Sequence, residues 1–267
     1  MTPGEISVLI GASVAGGAMN ALAGGGTIVT FPTLVLLGEP AIIANATSTV
    51  ALLPGAAASM FGYWDAVATH RQWLKTLLLP SLVGGALGSV LLLRTPEKIF
   101  AGLAPLLVLF ATVLFILQGA LARRSAGRRT VAAEGGLADP ALHLSRRRWA
   151  VVACFMFAVA VYGGYFGAGI GILTLAALGF LGLSDIFAMN GIKNFLGFCI
   201  NGVAAAYFVL RGRVVWPVAL LMMAGAVAGG YGGALFALRI GKEKSRAAVV
   251  VIGLLVTGIL FWQRYYR

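Results

Sequence analysis

Apolar residues run through this chain in blocks, and the blocks come in two sets of five. The first set covers Ile6 to Ala23, Thr27 to Leu37, Ile42 to Tyr63, Leu74 to Leu93 and Ile99 to Leu121. The second covers Trp149 to Ala168, Ile172 to Gly182, Phe187 to Leu210, Val214 to Leu238 and Ala247 to Trp262. Long apolar runs nearly free of charge predict membrane helices, since about 20 apolar residues span a bilayer core. The second block of each set is too short, because eleven residues at about 1.5 Å each reach about 17 Å of a core near 30 Å thick. A broken helix or re-entrant hairpin is expected there. Irregular backbone at that depth survives only where protein or water covers it.

The two sets share one register. Adding 145 to a position in the first half lands on a similar residue in the second: Gly24 on Gly169, Gly26 on Gly171, Asn45 on Asn190, Gly84-Gly85 on Gly229-Gly230, and Arg94 on Arg239. Such self-similarity marks a tandem duplication. The expected organisation is a first transmembrane repeat over 1–122, an Arg-rich cytoplasmic linker over 123–148 and a second repeat over 149–267. Five crossings per half, with the linker inside, put thirteen basic residues inside and six outside, the sign that cytoplasmic loops favour. Three crossings, with the first two blocks of each half folded as a re-entrant hairpin, invert the halves equally well. The fold class read from the chain is therefore all-α: a polytopic bundle of about eight to ten helical segments in two inverted repeats.

Composition removes the soluble alternatives. The chain is 60% hydrophobic and 10% charged, with a mean hydropathy of +0.95, which leaves no room for a sizeable soluble domain. The formal charge of +12 reads as a topology signal and not as a nucleic-acid surface, because seven arginines fall between Arg123 and Arg148 with few aromatics among them. Cys154 and Cys199 lie in apolar runs and read as small hydrophobes. Ile6 to Ala23 ends in a signal-peptidase-like Ala21-Leu22-Ala23, but no basic residue precedes it, so it reads as a retained first helix.

One basic residue, Lys193, sits inside an apolar run, and all eight acids fall at block ends or in loops. An unpaired charge in hydrocarbon costs roughly 2.5 to 3.5 kcal/mol on insertion scales and faces a cavity or pathway. The competing reading has Lys193 snorkel to the loop at Ser184-Asp185, about 12 Å away along a helix. Residues 190, 194, 197 and 201 advance by helical steps, so Asn190, Asn194, Gly197 and Asn201 share a face with Lys193 at its edge. The first half offers Asn45, Ser48 and Thr49 at the same place, with Ser48 the repeat mate of Lys193. Such groups also serve as plain interhelical hydrogen bonds.

Glycines precede both short blocks, in Asn20-Ala21-Leu22-Ala23-Gly24-Gly25-Gly26-Thr27 and in Tyr165-Phe166-Gly167-Ala168-Gly169-Ile170-Gly171. Bare amides at a helix start attract anions, and broken transporter helices use them in this way. Close helix packing is the plainer use of small residues. The candidate binding set is Lys193, Asn190, Asn194, Asn45, Ser48, Thr49, Gly24, Gly25, Gly26, Thr27, Gly169 and Gly171. No metal-hydrolase, nucleophile-elbow or phosphate-loop motif occurs, so the chain is not read as an enzyme, and no cofactor or metal is expected. The lack of a buried acid weakens a cation exchanger and leaves small anions.

The Gly24-Gly25-Gly26 turn with Pro32, the Ala44-Asn45-Ala46-Thr47-Ser48 run, and Gly167 to Gly171 with Lys193-Asn194 make the chain resemble the TauE/SafE family of sulfite exporters. That resemblance implies a bacterial inner-membrane carrier for sulfite, sulfoacetate or a related organosulfonate, working by export. The binding set above comes from the residues and not from the family. An anion channel of the same architecture and a non-transporting membrane scaffold are the alternatives. Expected partners are a small inorganic or organic anion and the lipid bilayer, with no nucleic acid. The small-residue run Gly225 to Gly233 suits either internal packing or a homodimer.

Overall fold

The computed structural model describes residues 1–61, 64, 68, 71–126, 146–180, 183, 185–240, 250, 251, 253–255, 257–259, 261 and 262. Among the described residues there is no strand. The described residues form these bounded helices: α1 Pro3–Ala23, α2 Thr27–Leu36, α3 Ala41–Phe61, α4 Arg71–Arg94, α5 Glu97–Ala126, α6 Arg146–Tyr165, α7 Ile170–Phe180, α8 Ile186–Leu210 and α9 Trp216–Ile240. Described residues from Val250 to Trp262 are helical as well. Among the described residues five helices are long and apolar enough to cross a bilayer: α3, α4, α6, α8 and the Glu97–Leu117 part of α5. The protein is an all-helical, polytopic membrane protein. Most of the Arg-rich linker lies outside the described residues, but its ends are helical, since α5 runs on to Ala126 and α6 starts at Arg146.

The environment can be read from α5. Its buried face carries Phe100, Ala104, Val108, Ala111 and Phe115, while Ile99, Leu103, Leu106, Phe110, Val113 and Leu117 form an exposed stripe advancing by fours and threes. A helix apolar on every side belongs in a protein core or a membrane. Here the outer stripe faces hydrocarbon.

The sequence offset reappears in the helices. Ala41 and Ile186 open α3 and α8, and Arg71 and Trp216 open α4 and α9, each pair 145 positions apart. The halves interlock by exchange: α1 lies along α9 of the other half, and α6 lies along α4. Glycines let the backbones touch. A methyl group on Gly84 would come 2.6 Å from the Phe157 carbonyl oxygen and 2.7 Å from Ala160 Cβ, and Gly88 faces Val161 and Tyr165. Numbers rise together along both helices, so α4 and α6 run parallel. The same holds for α1 and α9, where Gly225 meets Ile10 and Ser13, while Gly229 and Gly230 meet Val14 and Gly17. The described part of the Gly225 to Gly233 run is thus used inside the molecule.

Each short helix doubles back at its glycine break. After Gly24, at φ 71°, the chain returns so that Gly26 and Thr30 lie on Gly16. After Gly167 and Gly169, at φ 83° and 82°, Ile170 lies on Gly163. These left-handed values suit glycine, which has no Cβ to clash. The start of α3 is tied to the start of α5 by Glu97, whose carboxylate accepts from the Ile42 N–H at 3.2 Å and complements the positive end of the α3 dipole.

Gly88→Val is expected to lower thermal stability in detergent by about 1–3 kcal/mol, the range for overpacking a filled interface. Gly202→Ala, where nothing lies within 4 Å, should melt like the parent. Equal melting of the two variants would contradict the close α4–α6 approach.

Candidate functional site

The two glycine breaks meet. A Cβ on Gly24 would lie 3.2 Å from Gly171 Cα, and one on Gly167 would lie 3.9 Å from Thr27 Oγ1. Beside this meeting point is a cavity of about 30 Å³. Its polar lining comes from both halves: Asn20 of α1 and Ser59 of α3, then Lys193, Asn194 and Asn201 of α8. Gly24 and Gly171 close it where the breaks touch, and Gly197 leaves space on the α8 face.

Lys193 is only 3% exposed. Its Nζ donates to Asn190 Oδ1 at 3.1 Å, and no carboxylate of the described residues lies within ion-pair distance. The ammonium does reach back one turn toward the start of α8, as snorkelling requires, but it ends on an amide oxygen under cover. Asn194 Nδ2, on the same lining, is buried with no hydrogen-bond partner. An unpaired buried donor is costly, by about 1–3 kcal/mol, and a ligand that accepts hydrogen bonds would relieve it.

The other half of the predicted set stands elsewhere. Asn45 donates from Nδ2 to the Tyr165 carbonyl at 3.1 Å, and its Oδ1 has no partner. Ser48 is hydrogen-bonded to Thr30, and Thr49 donates to the Asn45 carbonyl at 2.8 Å. Gly25 sits against Ile28 and Phe115, Gly26 against Gly16 and Leu52, and Gly169 against Ala111 and Leu114. Of the predicted residues, Lys193, Asn194, Gly24 and Gly171 line the cavity. Asn190 holds the lysine, and Thr27 touches the facing break. Asn45, Ser48, Thr49, Gly25, Gly26 and Gly169 are not on the cavity's lining.

Asn20, Ser59 and Asn201 were missing from that set. Asn20 was legible as the polar residue one turn before the first break, and Asn201 as the last member of the α8 polar face. Ser59, in an Ala-rich stretch, gave no signal. Around the second break stands an aromatic cluster that the sequence reading did not assemble. Phe31 meets Phe166 edge-on at 5.3 Å and Phe100 at 6.1 Å, and Phe100 meets Tyr165 at 5.5 Å. Among the described residues no three His, Cys, Asp or Glu side chains converge on a point.

A polytopic helical bundle with helices broken at glycine, around a buried polar cavity, is the architecture of a membrane transporter. The sulfite exporter TauE/SafE family matches over residues 9–260, and the chain belongs to that family. A "Probable membrane transporter protein" of Haemophilus influenzae (strain ATCC 51907 / DSM 11121 / KW20 / Rd) is 27% identical over 92% of this chain and 90% of its own length. A "Probable membrane transporter protein ORF9" of a Sinorhizobium species is 23% identical over 93% and 89%. The "Probable membrane transporter protein YfcA" of Escherichia coli (strain K12) is 22% identical over 99% and 93%. No solved structure matches the chain. The protein is a multi-pass bacterial membrane transporter.

Gly24→Ala is expected to cost about 1–2 kcal/mol for the left-handed backbone, read as a lower melting temperature. Gly24→Asn, which tolerates that backbone, should recover only part of the loss, because its Cβ still meets Gly171 at 3.2 Å. Full recovery would show that the close approach does not matter.

Proposed function

We propose that the protein carries a small sulfur-containing oxyanion, sulfite or an organosulfonate, out of the cell by alternating access. The observation that carries this reading is Lys193, covered and without a carboxylate partner among the described residues, in a cavity whose other polar groups are neutral. A buried cation facing only amides and hydroxyls favours an anion as the missing counter-charge. The substrate class follows from the family's description as sulfite exporters. The buried lysine supports a negative charge on that substrate.

Lys193 would supply the charge, and Asn194, Asn20, Asn201 and Ser59 directional hydrogen bonds from both halves. Asn190 would position the lysine until the anion takes over part of its ammonium.

An inverted arrangement of the halves would suit alternating access, and the helix directions support it. In this reading α2 turns back along α1, and α3, α4 and α5 then cross three times, which would start α6 from the opposite end. The parallel pairing of α1 with α9 and of α4 with α6 fits this count, since each first helix then runs with the fourth helix of an oppositely directed repeat. Two inverted halves can rock about one shared site.

Anion binding to the folded state raises its melting temperature, by about 2.7 kcal/mol of added stability at a hundredfold excess over Kd. Purified protein should be stabilised by sulfite or sulfoacetate. Lys193→Met should melt cooperatively on its own yet lose most of that shift. A variant that keeps the parent's affinity would remove the lysine from the site.

A further inference from the structure

The surroundings of the two breaks differ. The cavity reaches Asn20 and Gly24 of the first break, and of the second only Ile170 and Gly171, which follow Tyr165 and Phe166 in the chain. At the second, Tyr165 and Phe166 are wedged between α2 and α5: the Phe166 ring lies against Phe31 and Phe100, all three fully buried. The Tyr165 hydroxyl donates to Thr95 Oγ1 in the α4–α5 turn at 3.4 Å, and its carbonyl accepts from Asn45. Edge-on aromatic contacts of this kind hold rings firmly.

The duplication makes the difference interpretable. In sequence, the repeat mates of Phe31, Phe100, Tyr165 and Phe166 are Ala176, Ser245, Asn20 and Ala21. Tyr165 fills space at one break, and its mate Asn20 lines empty space at the other. The two places also lie toward opposite ends of the molecule. Ser59 is two residues from the end of α3, whereas Thr95 and Phe100 stand where α4 turns into α5. Arg71, Lys75 and the Arg146 to Arg148 start of α6 belong to the Ser59 end, which the charge bias assigns to the cytoplasm.

We infer that Tyr165 and Phe166, closed on Phe31 and Phe100, are the outward gate of the transporter, and that the side of the breaks lined by Asn20 is kept passable by small and polar residues. This rests on the alternating-access reading above. The gate explains the orphan Oδ1 of Asn45: closed, it pins the amide through Nδ2 and shuts water out, and opened, it lets water reach the oxygen. It also assigns the duplicated halves different tasks. The second half brings the charged face and the tip of the gate, and the first half brings the aromatic seat.

The test needs no substrate. The free cysteines Cys154 and Cys199 are replaced by Ala, and single cysteines are placed at Ser59 on the cavity side or at Thr30, fully buried one residue before Phe31 and hydrogen-bonded to Ser48. Purified protein is then labelled with a hydrophilic methanethiosulfonate. A group exposed only in a minor state of about 0.1–10% population reacts roughly tenfold or more slowly than one exposed always, so Thr30→Cys should lag Ser59→Cys by at least that factor. Phe100→Ala should raise Thr30→Cys labelling several-fold and leave Ser59→Cys labelling unraised. Tyr165→Phe, which keeps the ring and loses only the Thr95 bond, should give a smaller rise in the same direction and serves if the alanine variant does not fold. Equal labelling of the two cysteines in the intact gate, or unchanged Thr30→Cys labelling in the loosened variants, overturns the gate. Failure of the anion reading alone would leave this labelling pattern intact and show instead as a missing thermal shift.

Discussion

Close backbone approach at glycine holds this molecule together. Hydrocarbon offers helices no hydrophobic reason to associate, so contact must come from dispersion and short-range packing, both of which fall away steeply with distance. Gly84 and Gly88 let α4 settle on α6, and Gly17 and Gly229 let α1 settle on α9. Those two seams join opposite halves. Without them neither glycine break would be carried to the other, and Gly24 would not reach Gly171.

The same seams decide what the polar residues can do. Most buried hydroxyls here donate to a carbonyl of their own helix, as Thr49, Thr112 and Thr174 do, and so are satisfied wherever the helix goes. Asn45 and Asn190 differ, because an amide has both donors and an acceptor to place. Asn190 Oδ1 takes Lys193. Asn45 spends Nδ2 on the Tyr165 backbone and leaves Oδ1 unpaired. One ancestral position has become a lysine holder in one half and a gate pin in the other.

Much of this was legible in the chain, for a physical reason. A bilayer imposes run length, so blocks and breaks can be counted, and a duplication prints the register twice. The two short blocks, the glycines before them and the charged face of α8 could all be read from period and spacing. What could not be read was which side of a polar face each group would be given. Ser48 and Thr30 find each other across 18 positions, and Gly25, Gly26 and Gly169 turn to packing. Their sequence signature is the same as that of Gly24 and Gly171, which line the cavity. The aromatic cluster was invisible for another reason: Phe31, Phe100 and Phe166 come from three separate segments, and in a membrane chain a phenylalanine carries almost no information about its side.

The asymmetry between the halves has a functional logic that symmetry alone would lack. Two identical inverted halves would make the inward and outward forms equal in energy, and an anion site built from them would place two like charges face to face. Putting the cation in one half only, with Ser48 opposite in register, avoids that repulsion. Adding aromatic contacts to one side of the breaks lowers the form closed on that side, because edge-on ring pairs are worth about 0.5–1.5 kcal/mol each beyond the area they bury. A few such contacts shift a two-state equilibrium tenfold or more, since about 1.4 kcal/mol is a factor of ten. A carrier biased in this way waits with its site toward the basic end of the molecule, as the proposed export would require.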